Sequence, residues 1–206
     1  MSDFEIQIER LSDRPQQFEF EVREGWWAAR EQASETGTCQ VEEPFRFRLR
    51  ASRSRDDVLI EGEVDGRVGL ECSRCAKRYS HALHDSYRLV LEPARGRAPL
   101  DPEGESGLAR NGVCLGEDLE AGLYRGPVVR LDDFFGEVIA LAMPIQPLCD
   151  EDCRGICPHC GMDRNGPADG RAPAPGCECE DEKIESPFAV LAKLKTGPGD
   201  AAGESD

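Results

Sequence analysis

Through much of its first 92 residues the chain alternates apolar and polar side chains. Phe4, Ile6 and Ile8 alternate with Glu5, Gln7 and Glu9, and Phe18, Phe20 and Val22 with Glu19, Glu21 and Arg23. A period of two marks a strand with one buried face. Arg14-Pro15 falls between these runs as a short turn. Phe45, Phe47, Leu49 and Ala51 then alternate with Arg46, Arg48 and Arg50, and Val58, Ile60 and Val64 carry the pattern to Asp65-Gly66. Val68, Leu70 and Cys72 resume it. Asp-Gly between two alternating runs predicts a hairpin turn, because a type I′ turn needs positive φ at both central residues. Tyr87, Leu89 and Leu91 make a return strand that ends at Pro93, for a total of four to six antiparallel strands in this region.

Helical signals are fewer. Trp26 to Glu35 is rich in Ala, Glu and Gln and predicts a short helix ending near Gly37, its two tryptophans serving as core or lid. From Pro93 periodicity stops, and the 93–126 segment reads as a mobile surface loop or linker. Val128 to Leu131 suits one more strand. Asp132 or Asp133 can cap a helix through Phe134, Phe135, Val138, Ile139, Leu141 and Ala142, which Pro144 stops. Ser186-Pro187-Phe188 opens a last helix with Phe188, Leu191, Ala192 and Leu194 on one face. The expected fold class is α+β, a mainly antiparallel sheet or partly open barrel with a few helices and a C-terminal cysteine-rich, zinc-binding segment. Its divisions are a β-rich domain over 1–92, the 93–126 linker, a helix plus cysteine segment over 127–195, and a disordered tail over 196–206.

Composition narrows the function classes. The 206 residues are 39% apolar and 32% charged, as in a soluble globular chain. No run approaches the about 18 apolar residues needed to span a bilayer, and Met1-Ser-Asp-Phe-Glu-Ile6 lacks the form of a secretory signal. The expected compartment is the reducing cytoplasm, with no membrane partner. There, cysteines bind metal rather than pair as disulfides. The net charge of −16 opposes bulk attraction to phosphate, so any nucleic-acid contact must be local.

Six of the ten cysteines lie between Cys149 and Cys179, spaced C-x3-C-x3-C-x2-C and then C-x-C. Cys157-Pro-His-Cys160-Gly161 has the form of a zinc knuckle, two thiolates on a tight turn with glycine where positive φ is needed. Cys177 and Cys179 would close a four-thiolate site. Cys149 and Cys153, with Cys72 and Cys75, would make a second. The cofactor expected is one or two structural ions, zinc with iron left open, since four-thiolate zinc has no open position for substrate. Cys39 and Cys114 are left as free thiols.

Arg46, Arg48, Arg50, Arg53 and Arg55 form a row that could meet phosphate bidentately or pair with acidic neighbours across the sheet. The pairing reading is the favoured one. No nucleophile–base motif or phosphate loop occurs, so no enzyme and no small-molecule substrate are expected. Two other classes stay open: an acidic interaction module or chaperone for a basic protein, and a thiol oxidoreductase using Cys72 and Cys75.

Leu70-Glu-Cys-Ser-Arg-Cys75, Leu131-Asp-Asp-Phe134, Ala140-Leu-Ala-Met-Pro144, Pro147-Leu-Cys149, Cys153-Arg-Gly-Ile-Cys-Pro-His-Cys-Gly161 and Ser186-Pro-Phe-Ala-Val-Leu-Ala-Lys-Leu194 carry a resemblance. Over about Leu70 to Lys195 the sequence resembles the YceD family of large ribosomal RNA subunit accumulation proteins. The resemblance implies a non-enzymatic cytoplasmic factor in 23S ribosomal RNA accumulation and large-subunit biogenesis. Its partner would be 23S ribosomal RNA or an assembly intermediate, met directly or through a basic ribosomal protein. Some members keep the C-x2-C pair without the C-terminal cysteines, which implies that metal serves the fold rather than the shared activity.

Overall fold

The computed structural model describes residues 4–22, 25–31, 39–97, 99, 102–117, 119–165 and 179. It divides into two units, Met1–Gly155 and Ile156–Asp206. In the first, strands β1 (Glu5–Gln7), β2 (Gln16–Glu21), β3 (Gln40–Ser54), β4 (Asp57–Glu71) and β5 (Arg78–Pro93) are followed by β6 (Val113–Leu115), β7 (Ala121–Tyr124) and β8 (Val128–Arg130). Helices α1 (Trp26–Glu31), α2 (Pro102–Asn111) and α3 (Asp132–Ala142) complete it. Six strands form one sheet in the order β2-β3-β4-β5-β7-β6, and β1 pairs with β8 apart from it. The fold is α+β, and the sheet is open rather than a closed barrel. Among the described residues no helix is long and apolar enough to cross a membrane.

The alternating positions do what their period requires. Phe45, Phe47, Leu49 and Ala51 of β3 are buried, as are Val58, Ile60, Val64 and Val68 of β4 and Leu83, Leu89 and Leu91 of β5. Helix α3 lays Phe134, Phe135, Val138 and Ile139 onto this face. The Phe135 ring stacks on Phe47 at a centroid distance of 3.8 Å and meets Phe4 edge-on at 5.3 Å. Trp26 and Trp27 join the same core through Phe4 and Phe45. Each such side chain contributes about 2 kcal/mol by leaving water, so the aromatic seam between helix and sheet is the main source of cohesion.

Three expectations need correction. Asp65-Gly66 is not a turn: β4 runs straight through it, with Asp65 opposite His84 and Gly66 opposite Leu83. The glycine is required there by packing, since a Cβ at Gly66 would sit 2.5 Å from the Phe45 Cδ1. The hairpin turn lies ten residues earlier, at Arg55-Asp56, where Arg55 takes φ +58°. Second, the 93–126 segment expected as a linker holds α2, β6 and β7, with Leu108 and Val113 buried. Strand β7 lies parallel to β5, so α2 belongs to the connection that parallel neighbours need. Strands of three and four residues are too short to show a period. Third, α3 has Leu131 as its N-cap and no side-chain cap bond. Asp132 instead accepts from Trp26 Nε1 at 3.5 Å and Asp133 from Arg30 Nη2 at 2.7 Å, tying α1 to α3.

Helix α1 is described as far as Glu31, and residues 32–35 of the expected helix lie outside the described residues. The helix expected after Ser186 and the expected 196–206 tail lie outside them as well.

Candidate metal centre

Strand β4 ends at Glu71 and β5 begins at Arg78, which leaves Cys72 to Lys77 as the connecting turn. The Cys72 N–H donates to the Lys77 carbonyl at 2.9 Å and the Ala76 N–H donates to the Cys72 carbonyl at 2.9 Å. Ala76 takes φ +57° to close the turn. A later loop is clamped against it. The Ser73 N–H donates to the Pro147 carbonyl at 2.8 Å, and Arg74 Nη1 donates to the Cys153 carbonyl at 2.9 Å and the Glu151 carbonyl at 3.3 Å.

These bonds bring four sulfurs together. Cys72 Sγ lies 3.7 Å from Cys153 Sγ, and Cys75 Sγ 3.6 Å from Cys149 Sγ. All four sulfurs fall within 4.8 Å of one another. Cys72, Cys75 and Cys153 are buried and Cys149 is half-buried, with Tyr79 and Leu148 packed around them.

The thiols do not share one proton affinity. Burial pushes Cys72 up, but the backbone N–H groups of Cys149, Arg74 and Cys75 aim at its sulfur and together bring it down to about 6. Cys149 is pushed up to about 12, first by its hydrogen bond with the Cys75 sulfur and then by burial. One thiolate in such a cluster therefore suppresses the next, and only a cation lets all four ionise. Four sulfurs with amides already directed at one of them fit a soft divalent metal held entirely by protein.

The second unit repeats the backbone plan. The Cys157 N–H donates to the Met162 carbonyl at 2.7 Å and the Gly161 N–H to the Cys157 carbonyl at 2.9 Å, with Gly161 at φ +72°. Cys157, Cys160 and Cys179 place their sulfurs within 4.8 Å of one another. Cys157 is buried and the other two are exposed. Cys177 lies outside the described residues. The sequence showed the knuckle at Cys157 through its glycine. It hid the matching one at Cys72, where Ala76 stands in the glycine position.

Cys72 and Cys75 thus occupy a hairpin turn, not the helix N-terminus a redox pair would use. Cys39 and Cys114 are half-buried outside both clusters.

The arginine row divides in two. Arg46 pairs with Glu21 at 3.1 Å, and Arg48 with Glu63 at 3.1 Å and with Asp65. Arg88 on β5 pairs with Glu61 at 3.4 Å. Arg50 lies on the same face, between Gln17 and Glu61 in the register. This face forms a concave surface on which Arg48, Arg50 and Arg88 alternate with Glu19, Glu61, Glu63 and Glu120. Arg53 and Arg55 stand apart, at the β3–β4 turn.

The family described as "Large ribosomal RNA subunit accumulation protein YceD" matches residues 60–195. The chain is similar to "Large ribosomal RNA subunit accumulation protein YCED homolog 1, chloroplastic" of Arabidopsis thaliana, 21% identical over 171 residues, covering 74% of this chain and 49% of the relative. An uncharacterized protein of Mycobacterium leprae is 25% identical over 119 residues, 57% of this chain and 48% of its own. One of Mycobacterium tuberculosis is 26% identical over 121 residues, 55% of this chain and 48% of its own. The chain spans about half the length of these relatives. No solved structure matches.

Proposed function

The chain belongs to the YceD family, and on that premise we propose that it is a non-enzymatic cytoplasmic factor for 23S ribosomal RNA accumulation in large-subunit biogenesis, with structural zinc. The observation that carries this reading is the match over residues 60–195, which runs from β4 to the C-terminal segment and includes every cysteine of both clusters. Cys72, Cys75, Cys149 and Cys153 would hold one zinc ion. Cys157, Cys160 and Cys179, with Cys177, would hold another. When bound, the ion supplies positive charge that keeps the thiolates ionised together and leaves no open position for a substrate.

The chain's own residues do the rest. The Cys72–Lys77 turn presents two sulfurs, Arg74 holds the 149–153 loop by its carbonyls, and Tyr79 and Leu148 pack against the cluster. The first site thereby fastens the segment after α3 to the tip of the β4–β5 hairpin, leaving the sheet surfaces for partners.

Two measurements test the proposal on the full chain. Metal analysis of purified protein is expected to give two zinc ions per chain and one in the C72S/C75S variant. Depletion in cells is expected to lower the ratio of 23S to 16S ribosomal RNA. An unchanged ratio overturns the biogenesis reading, and metal-free protein with an unaltered thermal midpoint overturns the structural role of zinc.

A further inference from the structure

At the end of the sheet away from the cysteine turn, three stretches of chain meet. The Arg53 N–H donates to the Ser12 carbonyl at 2.7 Å, bringing the loop before β2 against the end of β3. The Gln16 side-chain amide donates to the Arg10 carbonyl at 2.7 Å. From beyond β5, Arg95 reaches Asp56 of the β3–β4 turn, and Tyr124 Oη donates to the Asp56 carbonyl at 2.7 Å.

This rim carries Arg10, Arg14, Arg53, Arg55, Arg95 and Arg97 against five carboxylates, Glu9, Asp13, Asp56, Asp57 and Glu92. It is positive in a chain whose total is −16. Asp56 is divided between Arg53, at 3.5 Å, and Arg95, and Glu92 pairs with Arg97 at 2.9 Å. Arg10, Arg14 and Arg55 are exposed and have no carboxylate partner among the described residues. The sheet face differs in balance: Arg46, Arg48, Arg50 and Arg88 stand among Glu19, Glu21, Glu61, Glu63 and Asp65, so there the carboxylates outnumber the arginines.

We propose that this arginine rim is the protein's contact with RNA phosphates, with Arg14, Arg55, Arg95 and Arg97 as its principal donors. The inference rests on the biogenesis reading above. Guanidinium groups suit phosphate because two parallel N–H donors match two oxygens. The acidic remainder repels a polyanion, so RNA is admitted at this end and excluded from the rest of the surface. Contacts are therefore few, and binding of a single-stranded segment through four phosphates gives a slope of log K against log salt of about −3.

The test uses the full metal-loaded chain and a labelled 23S ribosomal RNA transcript. The R14E/R55E and R95A/R97A variants are expected to weaken binding on the order of tenfold or more, and R14A/R55A to reduce the salt slope by about 1.4. R46A/R48A is the control and is expected to bind as the parent does. Thermal midpoints verify that each variant is folded, and all four substituted rim residues are exposed. Absence of binding by the parent protein overturns the rim. So does binding unaltered in the rim variants, the outcome expected if the rim served an acidic protein instead. In depleted cells, rescue of 23S ribosomal RNA by R14E/R55E sinks the rim and leaves the biogenesis reading standing. A normal 23S level without the protein sinks that reading itself.

Discussion

Ala76 and Gly161 occupy the same place in two turns of one design, and their side chains differ by a methyl group. At φ +57° an alanine is strained, by roughly 1 kcal/mol relative to glycine. The A76G variant is thus expected to raise the stability of the protein by about that amount, less what glycine's freer unfolded chain takes back. Thermal or denaturant unfolding measures it. Tyr87 offers a second residue-scale test. Its ring packs between Phe47 and Phe134, and its hydroxyl is buried with no partner among the described residues. Burial first, and then the nearby Glu63 carboxylate, push its pKa well above the usual value. A raised folded pKa means that Tyr87's contribution is intact below about pH 10, the tyrosine value in an unfolded chain, and is lost as pH rises further. Y87F removes both effects. It is expected to be more stable at neutral pH, by on the order of 1 kcal/mol, and to lose less stability on going above pH 10. Cysteine pairing was half legible at this scale: spacing announced the thiols, but which pairs meet depends on backbone bonds such as Ser73 to Pro147 that no spacing encodes.

Among elements, legibility followed length and amphipathic contrast. Strands β3, β4 and β5 run for 15 or 16 residues, and their alternating faces were plain in the sequence. Helix α3 was equally plain, since its apolar residues cover most of its turns and Pro144 ends it. The Asp65-Gly66 reading failed because one dipeptide signals two different needs. A turn wants glycine's positive φ, whereas β4 wants its missing Cβ so that Phe45 can lie flat against the strand. Helix α2 escaped notice for the opposite reason. It is rich in poor helix formers, and only Leu108 is buried within it. Its order comes from its neighbours, including the Glu105–Arg125 pair at 3.2 Å. For α3 the expectation is sharp. Phe135 contacts Phe4, Phe20, Phe47 and Tyr87, so F135A should cost about 3–5 kcal/mol and release the helix from the sheet. Amide exchange over 132–142 would show that release directly.

At the largest scale, the first unit is organised as a sheet with different chemistry at its two ends. The sulfurs of Cys72, Cys75, Cys149 and Cys153 gather at one hairpin tip and arginine at the other, with a lattice of paired charges on the face between them. Exposed pairs of this kind are each worth little in stability, about 0–1 kcal/mol, so their role is to cancel charge across the face. The sequence made the arginine row conspicuous but could not divide it. Register did that, by setting Arg46 and Arg48 opposite glutamates while leaving Arg55 at a turn. Net charge alone pointed away from RNA, and only the three-dimensional gathering of Arg14, Arg55, Arg95 and Arg97 exposes the local exception.

The two halves of the four-cysteine cluster are also far apart in synthesis. Cys75 and Cys149 are separated by 74 positions and Cys72 and Cys153 by 81. While the ribosome is still making the crossover and α3, the emerging hairpin holds only two of its four thiols. Closure awaits the loop that follows α3, and a cross-link of that span then removes about 4 kcal/mol of chain entropy from the unfolded ensemble, as a disulfide of equal reach would. A metal ion held by all four sulfurs would therefore be captured only after the loop that follows α3 has been made.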